Sequence, residues 1–401
     1  MILIILDKMK KIYIIFLIFC SFFYQLNAQK LSDKATVSII TCGPGSELYS
    51  AFGHSAFRIH DPVLQLDKIY NYGTFDFNAP NFYLNFVKGK LIYQLSTTSF
   101  IRFIREYNYE KRWVKAQELN LNANDVQKIY DFLENNAKPK NKYYRYDFFY
   151  NNCATKLEDI IQNILKEKVH FTTNYIKTNK THRDLIADYT TNFKWAKFGI
   201  DLALGSVIDK TASKKDYNFL PDYIFKTFEN ATINSEINQR QPLVKNEVTI
   251  LTSKNTKQKY SFLTPVNILF AFSLLIAFIT YRDFKKKKRT KILDFTLYFI
   301  TGIIGIVVLL LWFATSHTAT YRNLNFLWAF APNLVVAFVL LKNKIPHWVK
   351  GYNKILLLFV ALTFTLWILK IQVFNLAITP FLLVLIIRYS YLTTSRKKVG
   401  N

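Results

Sequence analysis

The chain has 401 residues, 51% of them hydrophobic and 17% aromatic, with a formal net charge of +26. This suffices for one sizeable core with apolar sequence left over, and the surplus is concentrated at the two ends of the chain. Much of the positive charge falls in short segments between apolar stretches, where it reads as membrane topology rather than as a nucleic-acid surface, so no nucleic-acid partner is expected.

Residues 1–28 carry Lys8, Lys10 and Lys11, then the run "IYIIFLIFCSFFY", then "LNAQ" with a small residue at Ala28. This is the order of a secretory signal peptide cleaved after Ala28. The large Leu26, two places before the cut residue, leaves an uncleaved anchor as the alternative, and Phe19 argues against a lipoprotein site at Cys20. Next, "ATVSIITCG" (35–43) predicts a buried strand leading into the turn "GPGSE", and a second strand runs from His54 to about His60, ended by Asp61-Pro62. "KIYNYGTF", "KLIYQLSTTSF" and "RWVKAQELNL" predict further strands of a small antiparallel sheet.

The spacing of Val126, Ile129, Phe132 and Leu133 predicts a helix over 122–138, with Asn124 or Asp125 as its cap. In "YYRYDFFYNNCATKLEDIIQNILKEK", Cys153, Leu157, Ile160, Ile161 and Ile164 share one helical face, and Asn152 stands at the N-cap. Two more helices are expected at 195–209 and 220–231. The polar stretch 232–260 reads as a connector with a strand at 247–252.

Five apolar stretches follow, at about 262–281, 292–314, 324–341, 355–369 and 373–392, each near the ~20 residues needed to cross a bilayer. "RDFKKKKRTK" holds seven basic residues between the first and second, "KNKIPHWVKGYNK" four between the third and fourth, and "RKK" follows the fifth. Positive-inside bias puts these segments in the cytoplasm and residues 29–261 outside the inner membrane, the compartment that a signal peptide also implies. The domain boundaries read from this are a signal peptide at 1–28, an outer domain with its connector at 29–261, and a membrane domain at 262–395. His347 falls on the cytoplasmic side.

Without the signal peptide only Cys42 and Cys153 remain, first a candidate disulfide in an oxidising compartment. No CxxC, HExxH or Cys/His cluster has metal-ligand spacing, so neither a metal nor another cofactor is expected. Two motifs suit chemistry: "FGHSAF" around His54 and "NNCATKL" around Cys153. A thiol at a helix start lies where backbone N–H groups favour the thiolate. The same groups can hold a developing oxyanion, and an imidazole nearby completes a nucleophile and base. Each residue also has a structural reading: Cys153 as a small buried side chain, His54 as a hydrogen-bonded strand residue. Asn71, Tyr72 and Asp76 on the next strand are candidates to orient His54. Asn152 is a cap or an oxyanion donor. His317, Arg322, Asn323 and Asn325 lie in an outer loop between spans, where His317 and Asn323 are candidates to meet a phospholipid headgroup. Glu47 and Asp147 read as structural.

The order of His on an early strand and Cys at a later helix start is that of circularly permuted papain-like domains, which include the lecithin:retinol acyltransferase group. More specifically, "TCGPGSELYSAFGHSAFRI", "YNYGTFDF", "FVKGKLIYQL", "YRYDFFYNNCATKLEDII" and "GIDLALGSVID…FLPDYI", followed by five spans, resemble the bacterial lipoprotein N-acyltransferases called Lnb. The resemblance covers about 35–395. It implies an α+β, circularly permuted papain-like (NlpC/P60-type) catalytic domain in the periplasm, joined to a five-helix transmembrane bundle in the inner membrane. It also implies transfer of an acyl chain from a phospholipid to the α-amino group of a lipoprotein's diacylglyceryl-cysteine, with Cys153 as nucleophile and His54 as base. The alternatives are a cysteine hydrolase, acting as a lipase or peptidoglycan endopeptidase, and a non-enzymatic envelope binding module with a Cys42–Cys153 bridge. Five spans count against the wall-cleaving enzyme.

Overall fold

The computed structural model describes residues 29–234, 239–253 and 261–394; the expected signal peptide and the "RKK" segment lie outside these. The first expected strands form where Val, Ile and Tyr cluster: β1 (Thr36–Cys42), β2 (His54–Asp61), β3 (Leu66–Thr74), β4 (Ile92–Ser99) and β5 (Val114–Leu119). With β6 (Tyr143–Arg145) and β10 (Val244–Leu251) they make a seven-stranded sheet in the order β10-β5-β1-β2-β3-β4-β6. Its pairings are antiparallel. The strand expected at 247–252 in the connector is β10, which begins at Val244 and pairs with β5 as an edge strand, returning the chain to the sheet before the membrane. A small second sheet joins β7 (Val169–His170), β8 (Thr232–Asn234) and β9 (Arg240–Pro242).

Helices cover both faces of the large sheet, as the near-continuous burial of β1 and β2 requires. On one face α3 (Ala123–Ala137), α4 (Thr155–Leu165) and α7 (Pro221–Glu229) pack on Val37, Ile39, Phe57, Ile59, Tyr70 and Tyr72. On the other, α2 (Phe100–Tyr109) covers Ile40, Cys42, Ala56 and Ile69 through Phe103 and Tyr107. The cap of α3 is Asn122, whose side chain accepts from Asp125 N at 2.8 Å; the capping residue is thus earlier than expected. The sequence reading did not anticipate α1 (Phe82–Val87), α2 or α5 (His182–Thr190), which precedes the expected α6 (Lys194–Ala203).

Among the described residues four helices are long and apolar enough to cross a membrane: α8 (Pro265–Lys286), α9 (Lys291–Phe313), α11 (Trp348–Ile368) and the segment Leu376–Thr394, which contains α12 (Thr379–Thr394). The third expected span is not such a helix. Within 324–341 only a short 3-10 turn (Leu324–Phe326) and α10 (Asn333–Leu340) are regular, because Pro332 lacks an amide hydrogen and starts a helix rather than continuing one. The stretch nevertheless links the two ends of the bundle. At its start Asn325 donates to the carbonyls of Asp201 and Leu202 in the soluble domain. At its end Arg289, in the basic turn after α8, donates to the carbonyls of Leu340 and Lys342.

The bundle also encloses charge. Arg388 on α12 is fully buried and bonds Asp294 at 2.6 Å and Asp283 at 2.9 Å, while Arg289 takes the other oxygen of Asp294. Asp294, in the first turn of α9, is the centre of this network. Replacing one partner strands the other in a low-dielectric setting. Asp294→Ala is expected to cost about 3–5 kcal/mol and to lower the unfolding temperature in detergent, whereas Asp294→Asn should cost less.

Candidate active site at the open end of the sheet

Among the described residues the pairing of β2 with β3 runs from Asp61/Leu66 to Phe57/Tyr70 and stops there. Beyond it the two strands separate, and the chain entering α4 fills the space. Gly73 on β3 has a φ of +85°, and a Cβ placed on it would lie 3.3 Å from Cβ of Cys153. Only glycine combines that backbone with so close a neighbour.

The turn before α4 is held by Asn152. Its Oδ1 accepts from the amides of Ala154 (2.8 Å) and Thr155 (3.0 Å), and its Nδ2 donates to the carbonyls of Phe148 (2.8 Å) and Phe219 (2.7 Å). Both amide hydrogens are committed to the backbone, so Asn152 is a cap and not an oxyanion donor. Asp147 braces the same loop by accepting from the amides of Phe149 and Tyr150, and it also accepts from the Thr318 hydroxyl in the loop after α9.

Cys153 is thereby set with its sulfur facing the backbone N–H groups of Ser55, Cys153 and Ala154. The first of these belongs to the peptide that joins His54 to Ser55, so the sulfur lies alongside the histidine's own backbone. His54 Nε2 is hydrogen-bonded to Oδ1 of Asn71. A carbonyl oxygen can only accept, so Nε2 carries the proton and the lone pair of the neutral ring is on Nδ1. Cys153, His54 and Asn71 are thus brought together, from three elements far apart in sequence.

Tyr72 does not join them. It packs in the core under α3 and α4, and its buried hydroxyl has no hydrogen-bond partner, so it does not orient the imidazole. Asn323 is fully buried, donating to the carbonyls of Leu202 and Ala203 and accepting from Asn325 N; it clamps the bundle to the soluble domain and faces no headgroup. His317 is partly exposed, with its ring centroid 6.4 Å from that of Phe86 on α1.

The electrostatics differ from the expected thiolate. Burial pushes the Cys153 thiol up, and the N–H groups of Ser55, Cys153 and Ala154 together with the charge of Arg112 offset this only in part. Burial pushes His54 down to about 4, the bond to Asn71 works the other way, and the nearby positive charge of Arg112 adds to the depression. The resting pair is therefore a neutral thiol and a neutral imidazole. Arg112 itself was not anticipated: nothing in "RWVKAQ" marks it. It is buried, donates from Nε to Gly43 O at 2.7 Å and from Nη1 to Glu110 at 2.8 Å, and keeps Nη2 without a partner.

Cys42 and Cys153 are both free, so the bridge that would have made the domain a binding module is not formed. Cys42 stands opposite His54 in the β1–β2 register, and burial, only weakly opposed by Arg112, raises its thiol far beyond the reactive range.

An α+β domain with a thiol and an imidazole at the open end of its sheet, docked on a bundle of membrane-length helices, defines a membrane protein with a folded domain outside the helical bundle. The chain belongs to the Lnb family, that of lipoprotein N-acylation: residues 22–188 match the Lnb N-terminal periplasmic domain and residues 257–398 the Lnb transmembrane domain. It is thus a membrane protein with a periplasmic domain. The comparisons with curated proteins and with solved structures returned no match.

Proposed function

We propose that this protein is a cysteine-dependent lipoprotein N-acyltransferase of the inner membrane, with a circularly permuted papain-like catalytic domain and a chain that crosses the bilayer five times, the third time through the interrupted stretch 324–341. The observation that carries this reading is the sulfur of Cys153 facing the backbone N–H that follows His54, whose Nε2 is bonded to Asn71, in a chain that matches both Lnb domains.

As Sγ attacks an ester carbonyl of the phospholipid, Nδ1 of His54 takes the thiol proton. The oxyanion that forms is met by the N–H of Cys153, which the Asn152 cap does not take, and the charge of Arg112 favours each anionic stage. Collapse of the adduct breaks the carbonyl–oxygen bond, and the lysophospholipid alkoxide leaves with the proton from His54. The acyl group is then a thioester on Cys153. The α-amino group of the diacylglyceryl-cysteine attacks it, His54 removes the amine proton, the carbon–sulfur bond breaks, and the proton returns to the sulfur. A thioester reacts readily with amines, so an ester becomes an amide without ATP, provided water is kept out.

Purified protein in vesicles with acyl-labelled phospholipid and a diacylated lipopeptide is expected to give triacylated peptide and one lysophospholipid per transfer. Labelled fatty acid without triacylated peptide would identify a deacylase instead.

A further inference from the structure

The segment around α1 exposes apolar side chains where a domain in water would bury them. Phe77, Tyr83, Leu84, Phe86 and Val87 are 49–70% exposed, and residues 77–90 contain no acid and end on Lys88 and Lys90. Contiguous apolar surface of this kind marks an interaction site.

What covers it follows from its neighbours. The carbonyl of Lys88 accepts from Ser316 N at 2.8 Å, three residues beyond the end of the membrane-length α9 at Phe313. Gly89, with a φ of +70°, lets the chain pass so close that a Cβ there would lie 2.6 Å from His317 N. The patch is therefore pinned beside the point where α9 leaves the bilayer. At that depth aromatic and aliphatic side chains partition into the interface, and lysines meet anionic headgroups.

We propose that residues 77–87 are an interfacial anchor, inserted into the leaflet on the periplasmic side next to α9. Behind the exposed face the aromatic packing runs inward. Phe82 stacks on Phe75 at 5.8 Å, Phe75 meets Tyr93 at 5.1 Å, and Tyr93 stacks on Tyr146 at 4.3 Å. Tyr146 and Cys153 both border the ideal Cβ position of Gly73. On the acyltransferase reading, which this part alone rests on, the run is an apolar path from the leaflet to the thiol.

The test uses the full chain with Cys20→Ser, Cys42→Ala and Cys153→Ala, labelled with nitrobenzoxadiazole at Leu84→Cys or at Val63→Cys. Val63 is an exposed apolar residue at the β2–β3 turn, the end of those strands away from Gly73. In phosphatidylethanolamine/phosphatidylglycerol vesicles, the label at position 84 is expected to lose fluorescence to a shallow doxyl-labelled phospholipid and to resist an aqueous quencher, with the reverse at position 63. Quenching at position 84 from water and not from lipid overturns the proposal. So does shielding that appears only when diacylated lipopeptide is added, since the occupant is then the acceptor. Because the variant lacks Cys153, the result does not depend on acyl transfer.

Discussion

Cys153→Ala is expected to abolish acyl transfer, by at least about 10⁴-fold, and to remove the acyl adduct detected by intact mass, while Cys42→Ala retains both. The two thiols differ in setting, not in burial alone. Cys153 faces three backbone N–H groups and the peptide that follows His54; Cys42 lies between the sheet and α2 with Phe103 and Tyr107, and its removal should cost only about 1 kcal/mol of stability. The neutral resting pair also sets how the thiol titrates. With its pKa raised, alkylation of Cys153 by iodoacetamide should climb continuously from about pH 6 to 9, because the reactive thiolate fraction grows with pH. A plateau already reached at about pH 5 would show a preformed ion pair and overturn this description of the site.

His54→Gln is expected to lower kcat by about 10²–10⁴-fold, the range of a lost general base, with the protein still folded and inserted. Asn71→Ala should lower kcat less, with KM little changed, because it removes the orienting bond and not the base. It should also displace the acid limb of the pH profile. The wild-type limb lies near pH 4, where Nδ1 becomes protonated, and since the Asn71 bond is what holds that value up, its loss moves the limb to lower pH. A limb that stays in place with reduced kcat would assign Asn71 a purely structural role. The same depression has a stability consequence. The unfolded chain takes up the His54 proton below about pH 6.5 and the folded chain only near 4, so stability present above 6.5 is lost as pH falls through this window. His54→Gln should flatten that part of the profile.

Parts of the site were legible because local chemistry determines them. "GHSAFRI" favours a strand and "NNCATKLEDII" starts a helix with an asparagine cap, so the placement of His54 and Cys153 on their elements follows largely from short-range preferences. Asn71 could be named as a candidate but not chosen over Tyr72. Neighbours on a strand point to opposite faces, and which face meets His54 depends on the register of β2 against β3 and on the gap where that pairing ends.

Where expectation and structure part, a long-range contact outweighed a local signal. Asn323 sits in a polar loop and reads as solvated, yet it is consumed by carbonyls about 120 residues earlier in the chain. The stretch 324–341 has the composition of a span, but Pro332 breaks it, so its α-helix begins only at Asn333 and runs to Leu340. Arg112, the strongest charge near the thiol, carried no signal at all, since its burial depends on Gly43 and Glu110 being brought to it.

By itself the sequence determined the division into an outer domain and an apolar membrane region, the orientation implied by the basic segments, and the two motifs able to do chemistry, all of which depend on composition and spacing along the chain. Only the tertiary structure decided which asparagine meets the imidazole, how deeply the thiol is buried and which apolar side chains remain exposed. Those properties arise from groups distant in sequence, whose mutual burial exists only after the sheet has closed.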